Sequence, residues 1–213
     1  MPGILVPKVE EYVTSLLPPR DRVMREMERY AAQHSVPIIG PACGRLLYQL
    51  ARLIQARRVF ELGSAIGYST LWLARAVGPE GTVFYTDRDP ANALRAEGYL
   101  KRAGVFDRVR LLTGEAIRLF DSTDGQFDLI FNDIDKTGYP AVLRRAIKRL
   151  RVGGLFITDN VLWSGRIASP LAHDDEDARA IQEFNRLIYR SRKFFTTIIP
   201  LRDGFAVCEK TPK

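Results

Sequence analysis

Residues 127–136 read FDLIFNDIDK, in which an apolar run meets a cluster of polar side chains. The apolar run predicts a buried strand, because strand-forming residues dominate it and polar residues end it. Asp133, Asp135 and Lys136 follow it, and they fit either a solvated turn or a site that holds a ligand. The order of the elements around this strand bears on that choice.

Strand and helix patterns alternate along most of the chain. A strand, a helix and a second strand predict a right-handed βαβ unit, and repeated units predict a mostly parallel sheet. The last two strands are joined by the short turn RDG, so they are expected to be antiparallel to each other. The helix that begins at Tyr139 is expected to end at the glycine pair 153–154. The predicted strands are 57–62, 82–87, 108–114, 127–133, 154–160, 194–201 and 204–210.

These patterns predict one α/β domain over residues 1–213, with a doubly wound, Rossmann-like, mostly parallel seven-stranded sheet and an antiparallel C-terminal hairpin. Helical periodicity at 21–35 and 43–56 adds N-terminal helices, so 1–56 is expected to form a helical extension. In such sheets ligands bind at the carboxyl ends of the strands. The stretch FDLIFNDIDK ends a strand, which favours the ligand-site interpretation.

Composition limits the class of protein. The 213-residue chain has 46% hydrophobic and 27% charged residues, which is typical of a soluble globular protein, and no apolar stretch approaches the ~20 residues of a membrane span. The N-terminus lacks the pattern of a signal peptide, so a cytoplasmic location is expected. Cys43 and Cys208 are expected to be buried thiols rather than a disulfide. Only two histidines are present, so any bound metal is expected to have oxygen ligands.

The chain carries a formal net charge of +7, and its pI is about 9.6. That balance favours anionic partners, either nucleic acid or phosphorylated small molecules. The densest basic cluster, RRAIKRLR at 144–151, has helical spacing and is most simply a solvated helix face.

The stretch FELGSAIGYST at 60–70 joins the first predicted strand to its helix. Gly63 and Gly67 allow a tight turn close to a ligand, and Asp87 at the end of the next strand can accept hydrogen bonds from ribose hydroxyls. The spacing G-x-x-x-G differs from the dinucleotide fingerprint G-x-G-x-x-G, which disfavours a dinucleotide oxidoreductase. Glu61 beside the loop suits a cofactor without phosphates and with a cationic end, such as S-adenosylmethionine.

Three stretches together resemble the cation-dependent class I O-methyltransferases, which include catechol O-methyltransferase, caffeoyl-CoA O-methyltransferases and bacterial relatives. The stretches are ELGSAIGYSTLWLA, the run from FDLIFNDIDK to DNVLWSGR, and IIPLRDGFAV. The similarity extends from about residue 36 to the end of the chain, and D-x-D-K followed by DNVLWSG is its most specific part. Two positions depart from common family patterns: Ala65 stands where many relatives have a glycine, and Asn132 directly precedes Asp133.

The resemblance implies that Asp133, Asp159 and Asn160 bind a divalent cation, expected to be Mg²⁺. Two carboxylates and an amide oxygen are hard ligands that suit a hard ion. The alternative for Asp159 and Asn160 is a turn or helix cap before VLWSG. Lys136 matches the general base proposed for the family, and the alternative is a surface lysine in a turn.

The resemblance also implies the surroundings of S-adenosylmethionine and of the acceptor. Trp163 is expected either to wall the acceptor pocket or to be a core aromatic residue, and segment 166–179 is expected to set acceptor specificity. The implied cofactor residues are Ile39, Gly40, Glu61, Gly63, Ala65, Gly67, Tyr68, Ser69, Asp87, Glu115, Ala116, Asp133 and Asp135.

We therefore expect methyl transfer from S-adenosylmethionine to a hydroxyl of a small catechol-like or other vicinal-diol aromatic acceptor. Two alternatives stay open. The first is methylation of 5-hydroxyuridine in tRNA with the same chemistry, which the positive charge suits, and the second is a non-catalytic cofactor-binding protein. The resemblance also implies a homodimer, and no membrane partner is expected.

Overall fold

A computed structural model describes residues 6–168 and 174–212 of the protein. Within these residues the α-helices are α1 (Pro7–Ser15), α2 (Arg22–His34), α3 (Gly40–Leu53), α4 (Tyr68–Val77), α5 (Pro90–Arg102), α6 (Ala116–Ser122), α7 (Tyr139–Arg149) and α8 (Glu176–Arg190). The strands are β1 (Arg58–Leu62), β2 (Thr82–Asp87), β3 (Val109–Thr113), β4 (Phe127–Asn132), β5 (Leu150–Thr158), β6 (Phe194–Ile199) and β7 (Phe205–Lys210).

The seven strands form a mixed sheet flanked by helices. The chain divides into two compact units: the first unit is Leu16–Asp124, and the second is Gly125–Lys213 with Met1–Ser15. The strand order in the first unit is β3-β2-β1, and both pairs are parallel. In the second unit the order is β4-β5-β7-β6, where β4 and β5 are parallel and β7 is antiparallel to both its neighbours. This arrangement confirms the predicted α/β fold, while the single domain stays a prediction.

The core of the first unit fixes the turn between β1 and α4. Nine of the ten residues of α4 are buried, so this helix is covered around its circumference. A helix that is apolar on all sides belongs in a protein interior. In β1, every residue after Arg58 is also buried. The turn that joins β1 to α4 is therefore fixed at both ends by buried elements.

The register of the second unit places two polar strand ends side by side. Asn132 on β4 pairs with Thr158 on β5, so Asp133 and Asp159 follow directly neighbouring residues. The amide of Asp159 also donates a 3.1 Å hydrogen bond to the carbonyl oxygen of Asn132, which continues the pairing past the strand end.

Aromatic packing holds α7 and α8 of the second unit. The rings of Tyr139 on α7 and Phe156 on β5 both contact Phe184 of α8 edge-on, with centroid distances of 5.3 and 6.0 Å. All three side chains are fully buried. Each such ring buries about 150–250 Å², so this contact contributes strongly to the core.

The predicted boundary between α7 and β5 is wrong. The helix ends at Arg149, and the strand starts at Leu150 rather than at residue 154. Leu150 is buried and pairs with Phe127, so packing extends the strand into what looked like a continuous helix. Gly154 does not stop a helix: a Cβ there would lie 2.7 Å from the carbonyl oxygen of Asp128. The glycine allows close strand approach instead.

The N-terminal helices also differ from the prediction. The helix α1 was not predicted, and none of its residues is buried, so it has no core-facing apolar stripe that would reveal it in the sequence. The helix α3 begins at Gly40 and ends at Leu53, three residues earlier at each end than predicted. Pro41 stands in its first turn, where proline is tolerated because the amide hydrogen would have no partner.

Both cysteines, Cys43 and Cys208, are buried free thiols, as predicted. Among the described residues, no helix combines the length and the apolar character that crossing a membrane requires.

Candidate active site

The turn after β1 has the backbone geometry of a close approach. Gly63, Ala65 and Gly67 all have positive φ, at 81°, 44° and 83°. A Cβ on Gly67 would lie 2.9 Å from the Cβ of Ala96, so a side chain does not fit there without a shift. Glycine is needed at this position both for its φ and for its contact with α5.

The turn is tied to the end of β2 by two residues that sequence reasoning missed. The Ser64 amide donates to the carbonyl oxygen of Thr86 at 2.9 Å, and the Thr86 amide donates to Oγ of Ser64 at 3.1 Å. The Gly63 amide lies 3.3 Å from Oγ1 of Thr86. These reciprocal bonds hold the turn in one conformation. Serine and threonine at strand ends are too common to have indicated this pairing.

The carboxylate of Asp87 lies next to this turn, as the sequence predicts for a ribose-binding acid. Its Oδ2 accepts a 3.0 Å hydrogen bond from the Ala65 amide. Its Oδ1 accepts from the Asp89 amide at 2.8 Å and from Nδ2 of Asn92 at 3.2 Å. A carboxylate has about four acceptor positions, so Asp87 is firmly oriented and keeps a limited capacity for a ligand.

Glu61 is fully buried on β1, and its Oε2 accepts a hydrogen bond from Oγ1 of Thr70 on α4. Nearby, the Tyr85 hydroxyl donates to the carbonyl oxygen of Ala65 at 2.6 Å. Burial, and then the negative charges of Asp87 and Glu61, raise the pKa of Tyr85. This tyrosine therefore stays a neutral hydrogen-bond donor to the turn.

Most of the other predicted cofactor residues of the first unit are buried or make hydrogen bonds within the protein. Tyr68 donates from its hydroxyl to Oε1 of Glu28 at 2.7 Å, which is a contact within the protein. Glu115 caps α6 by accepting from the amides of Ile117 and Arg118 at 3.0 and 2.7 Å. The side chains of Ile39, Ser69 and Ala116 are buried, and Gly40 starts α3 with a φ of 71°.

In the second unit, oxygen atoms of the predicted metal ligands converge on Nζ of Lys136. Oδ1 of Asn160 lies 2.8 Å from this nitrogen, and Oδ1 of Asp133 lies 3.3 Å from it. The carbonyl oxygen of Ile134 is also at 3.3 Å. The side chain of Lys136 is 12% exposed, so the ammonium group lies in a largely enclosed, oxygen-lined position. This is not the surface lysine of the alternative interpretation.

Burial and mutual repulsion oppose the charge of the two aspartates. Burial and then the nearby charge of Asp133 raise the pKa of Asp159 to about 8. The pKa of Asp133 is also raised by burial, against the lowering effect of Lys136. Positive charge on Lys136 and Arg202 lowers both values, yet burial dominates. Burial and a neighbouring like charge both disfavour the ionised form of a carboxyl group, which accounts for these directions.

Two aromatic rings contact the ammonium of Lys136. Its Nζ lies 5.2 Å from the ring centroid of Tyr139 and 5.7 Å from that of Trp163, within the range of cation–π attraction. The hydroxyl of Tyr139 donates to the backbone carbonyl oxygen of Asp159 at 2.8 Å. Trp163 is partly exposed, and among the described residues its Nε1 has no hydrogen-bond acceptor.

The RDG turn, for whose residues no role was predicted, adjoins the metal-ligand candidates. The amides of Val161 and Leu162 donate to the carbonyl oxygens of Gly204 and Asp203 at 3.2 and 3.0 Å. The carboxylate of Asp203 is buried and contacts Asn160. Such contacts join segments about 40 residues apart, so no local pattern could have revealed them.

The remaining predicted residues stay predictions in their roles. Asp135 is exposed and precedes a short 3₁₀ turn. In the part of the chain that the structure describes, no three or more His, Cys, Asp and Glu side chains form a metal-binding group. The predicted ligand set contains only two carboxylates, with an amide as the third ligand. Residues 169–173 of the predicted specificity segment lie outside the described residues.

A groove of about 760 Å³ lies between α3 and α4 of the first unit. Its walls include three arginines and two aromatic rings, Arg45, Arg52, Arg75, Tyr48 and Trp72. None of the predicted site residues lines it. Its arginines make it the part of the first unit where an anionic partner is most reasonably sought.

The basic cluster 144–151 is only partly a solvated helix face. Arg144 and Lys148 are exposed, as predicted. Arg149 instead donates from Nε to the carbonyl oxygen of Gly125 at 2.9 Å, and Arg151 pairs with Asp128 at 2.5 Å. Arg149 and Arg151 therefore stabilise the end of α7 and the start of β5.

The Rossmann-like fold with its glycine turn and strand-end carboxylates defines a protein of the methyltransferase class. The chain matches the model of the O-methyltransferase family over residues 14–211, and it belongs to that family. It is an enzyme that uses S-adenosylmethionine as methyl donor.

Curated relatives cover nearly the whole chain. A catechol O-methyltransferase of Mycobacterium tuberculosis is 37% identical over 82% of this chain and 80% of its own length. One of Niastella koreensis is 31% identical over 91% of this chain and 90% of its own. Caffeoyl-CoA O-methyltransferase 1 of Eucalyptus globulus is 29% identical over 92% of this chain and 85% of its own length.

Solved structures agree. The O-methyltransferase TomG from Streptomyces achromogenes, in complex with S-adenosylmethionine, has a TM-score of 0.87 and 29% identity, with 96% of each chain covered. An O-methyltransferase from Bacillus cereus, in complex with S-adenosylhomocysteine, has a TM-score of 0.86 and 30% identity, with 96% of this chain and 97% of the other covered.

Proposed function

We propose that this enzyme is a divalent-cation-dependent O-methyltransferase whose acceptor is a small aromatic molecule with two neighbouring hydroxyls, such as a catechol. The observation that carries the proposal is the convergence of Asp133 and Asn160 oxygens on the cationic Nζ of Lys136, beside the buried Asp159. The names of the relatives, catechol and caffeoyl-CoA O-methyltransferases, support the acceptor class.

The ligand chemistry fits a hard cation. Asp133, Asp159 and Asn160 supply carboxylate and amide oxygens, which Mg²⁺ prefers over nitrogen or sulfur ligands. Burial without enough positive charge leaves both carboxylates short of a cation. A bound Mg²⁺ would supply Lewis-acid stabilisation of negative charge on the acceptor oxygens.

Lys136 is the proposed general base. In the proposed step Lys136 first releases its ammonium proton to solvent, and the neutral amine then takes the acceptor's hydroxyl proton at Nζ. The rings of Tyr139 and Trp163 restrict where this nitrogen can lie. Trp163 is proposed to contact an aromatic acceptor through its partly exposed ring. A positioned base of this kind contributes about 100- to 10,000-fold to the rate.

The first unit's proposed part is to bind the methyl donor. Glu61, Gly63, Ala65, Gly67 and Asp87 hold S-adenosylmethionine, with Tyr68, Ser69, Ile39, Gly40, Glu115 and Ala116 around it, and Asp133 and Asp135 are proposed to lie beside it. The cofactor supplies an electrophilic methyl group. The acceptor oxygen forms the new O–C bond as the S–C bond breaks, which leaves S-adenosylhomocysteine. Positioning of the two reactants supplies much of the rate.

The test is methyl transfer from labelled S-adenosylmethionine to a panel of catechols and to undermodified tRNA, in Mg²⁺ and in EDTA. We expect transfer to a catechol that both EDTA and Asp133→Ala abolish. The matched control is Asp128→Ala, which removes an aspartate on the same strand that pairs with Arg151. Transfer only to tRNA would show that the acceptor is RNA rather than a small aromatic molecule. Activity that neither EDTA nor Asp133→Ala changes would refute the proposed cation dependence.

The homodimer also stays a proposal. Light scattering on the purified chain tests it, and a monomeric mass at the concentration of the activity assay would remove it.

A further inference from the structure

Asp203 is a buried carboxylate in the turn between β6 and β7, with 2% of its surface exposed. Its Oδ1 accepts a short hydrogen bond from the backbone amide of Ser164. Its Oδ2 lies 3.5 Å from Nδ2 of Asn160. Both oxygens therefore face the segment that carries two of the proposed metal ligands.

The side-chain amide of Asn160 lies between opposite charges. Its oxygen faces the ammonium of Lys136 at 2.8 Å, and its NH₂ group faces the carboxylate of Asp203. Rotating the amide by half a turn would place NH₂ against the ammonium and oxygen against the carboxylate. Both contacts would be repulsive, so the two charges together fix which atom of Asn160 faces Lys136.

The backbone around this amide is also held. Asn160 has a φ of 58°, a left-handed conformation that asparagine tolerates better than most residues. Its amide donates to Oδ1 of Asp159 at 2.8 Å, and the amide of Leu162 donates to the carbonyl oxygen of Asp203 at 3.0 Å. Asp203 thus contacts the segment through both its backbone carbonyl and its carboxylate. These contacts restrict the orientation of the Asp203 side chain.

We propose that Asp203 is a positioning residue that directs Oδ1 of Asn160 toward the cation. This inference rests on the cation proposed above and adds to it a residue outside the ligand set. Residues that hold metal ligands by hydrogen bonds typically contribute about 10- to 100-fold to metal affinity.

The experiment measures Mn²⁺ binding by electron paramagnetic resonance on the full chain, without donor or acceptor. We expect Asp203→Asn to raise the Mn²⁺ dissociation constant about 10- to 100-fold. Affinity for S-adenosylmethionine should not change, because the proposed donor residues of the first unit are intact. Asp128→Asn is the matched control, and its Mn²⁺ affinity should equal that of the wild type. Equal Mn²⁺ affinity for Asp203→Asn and the wild type would overturn the inference.

A pair of swapped variants decides the matter even if Asp203→Asn folds poorly. Asn160→Asp alone sets two carboxylates against each other and should lower the melting temperature in EDTA. Adding Asp203→Asn restores one acid and one amide at the contact, so the double variant should recover the melting temperature relative to Asn160→Asp. Failure to recover it would contradict the positioning role. A wild type that binds no Mn²⁺ would instead refute the proposed cation itself.

Discussion

Two carboxylates of the first unit and two of the second have contrasting surroundings. In the first unit, Asp87 accepts three hydrogen bonds and Glu115 accepts two, all from neutral N–H groups. In the second unit, burial raises the pKa of Asp159, and the charge of its neighbour Asp133 raises it further. N–H groups satisfy the carboxylates of the first arrangement, whereas the second arrangement is the one in which we propose that a cation balances both charges.

This difference matches the proposed division between donor binding in the first unit and chemistry in the second. Neutral hydrogen bonds set the shape of the glycine turn at little electrostatic cost. Buried like charges cost stability in the folded protein, and proteins retain such costs where a ligand or a reaction relieves them. The second unit is therefore where substitution should separate activity from stability.

The largest effect is expected at Lys136. Lys136→Met should lower kcat by about 100- to 10,000-fold, because it removes the proposed base while keeping a side chain of similar length. Single-turnover methyl transfer to a catechol measures this. Lys148→Met is the control, since Lys148 is an exposed lysine on α7. Full activity of Lys136→Met would show that the proton leaves by another route.

A smaller loss is expected at Asp159. Asp159→Asn should reduce kcat by about 100- to 1,000-fold, the usual range for losing one stabilising group at a reaction centre. The same change should raise the melting temperature in EDTA, because it removes a buried charge beside the like charge of Asp133. Calorimetry beside the activity assay tests both. A variant that loses activity and also stability in EDTA would contradict the contrast between the units.

Gly67→Ala should act on the first unit through shape rather than charge. The residue has a φ of 83° and no room for a Cβ, so the free energy of unfolding should fall by about 1–3 kcal/mol and donor affinity with it. Chemical denaturation and donor titration measure the two effects. The control is Gly98→Ala in α5, where a Cβ meets nothing and helix propensity predicts a gain of about 1 kcal/mol. Equal responses of the two variants would argue that the turn is not constrained.

The pH dependence of stability should report the charge state of Asp159. Folding raises the pKa of Asp159 from an unfolded value of ~3.9 to about 8, so the folded state binds the proton more tightly. Stability in EDTA should therefore fall as pH rises through that window and level off above it. Melting temperatures in EDTA should show this decline, and Mg²⁺ should reduce it. A melting temperature in EDTA that does not change with pH, in the wild type and in Asp159→Asn alike, would contradict this prediction.

The fold was predictable because its information is local. Six of the seven predicted strand segments lie within about two residues of those observed, since apolar runs and turn residues lie next to each other in sequence. The exception is β5, where the glycine pair suggested a helix end. The strand starts at Leu150 because this residue pairs with Phe127, which lies more than 20 residues away in sequence.

The sequence by itself determined the sheet, the glycine turn and the candidate residue Asp87, because each depends on a short pattern with a clear physical meaning. The candidate roles of Asp133 and Lys136 came from the family resemblance. Only the tertiary structure decided that Lys136 is enclosed by ligand oxygens, that Thr86 holds the turn and that Asp203 faces Asn160. These contacts join segments distant in the chain. They depend on strand register and on turn geometry, which no short pattern in the sequence specifies.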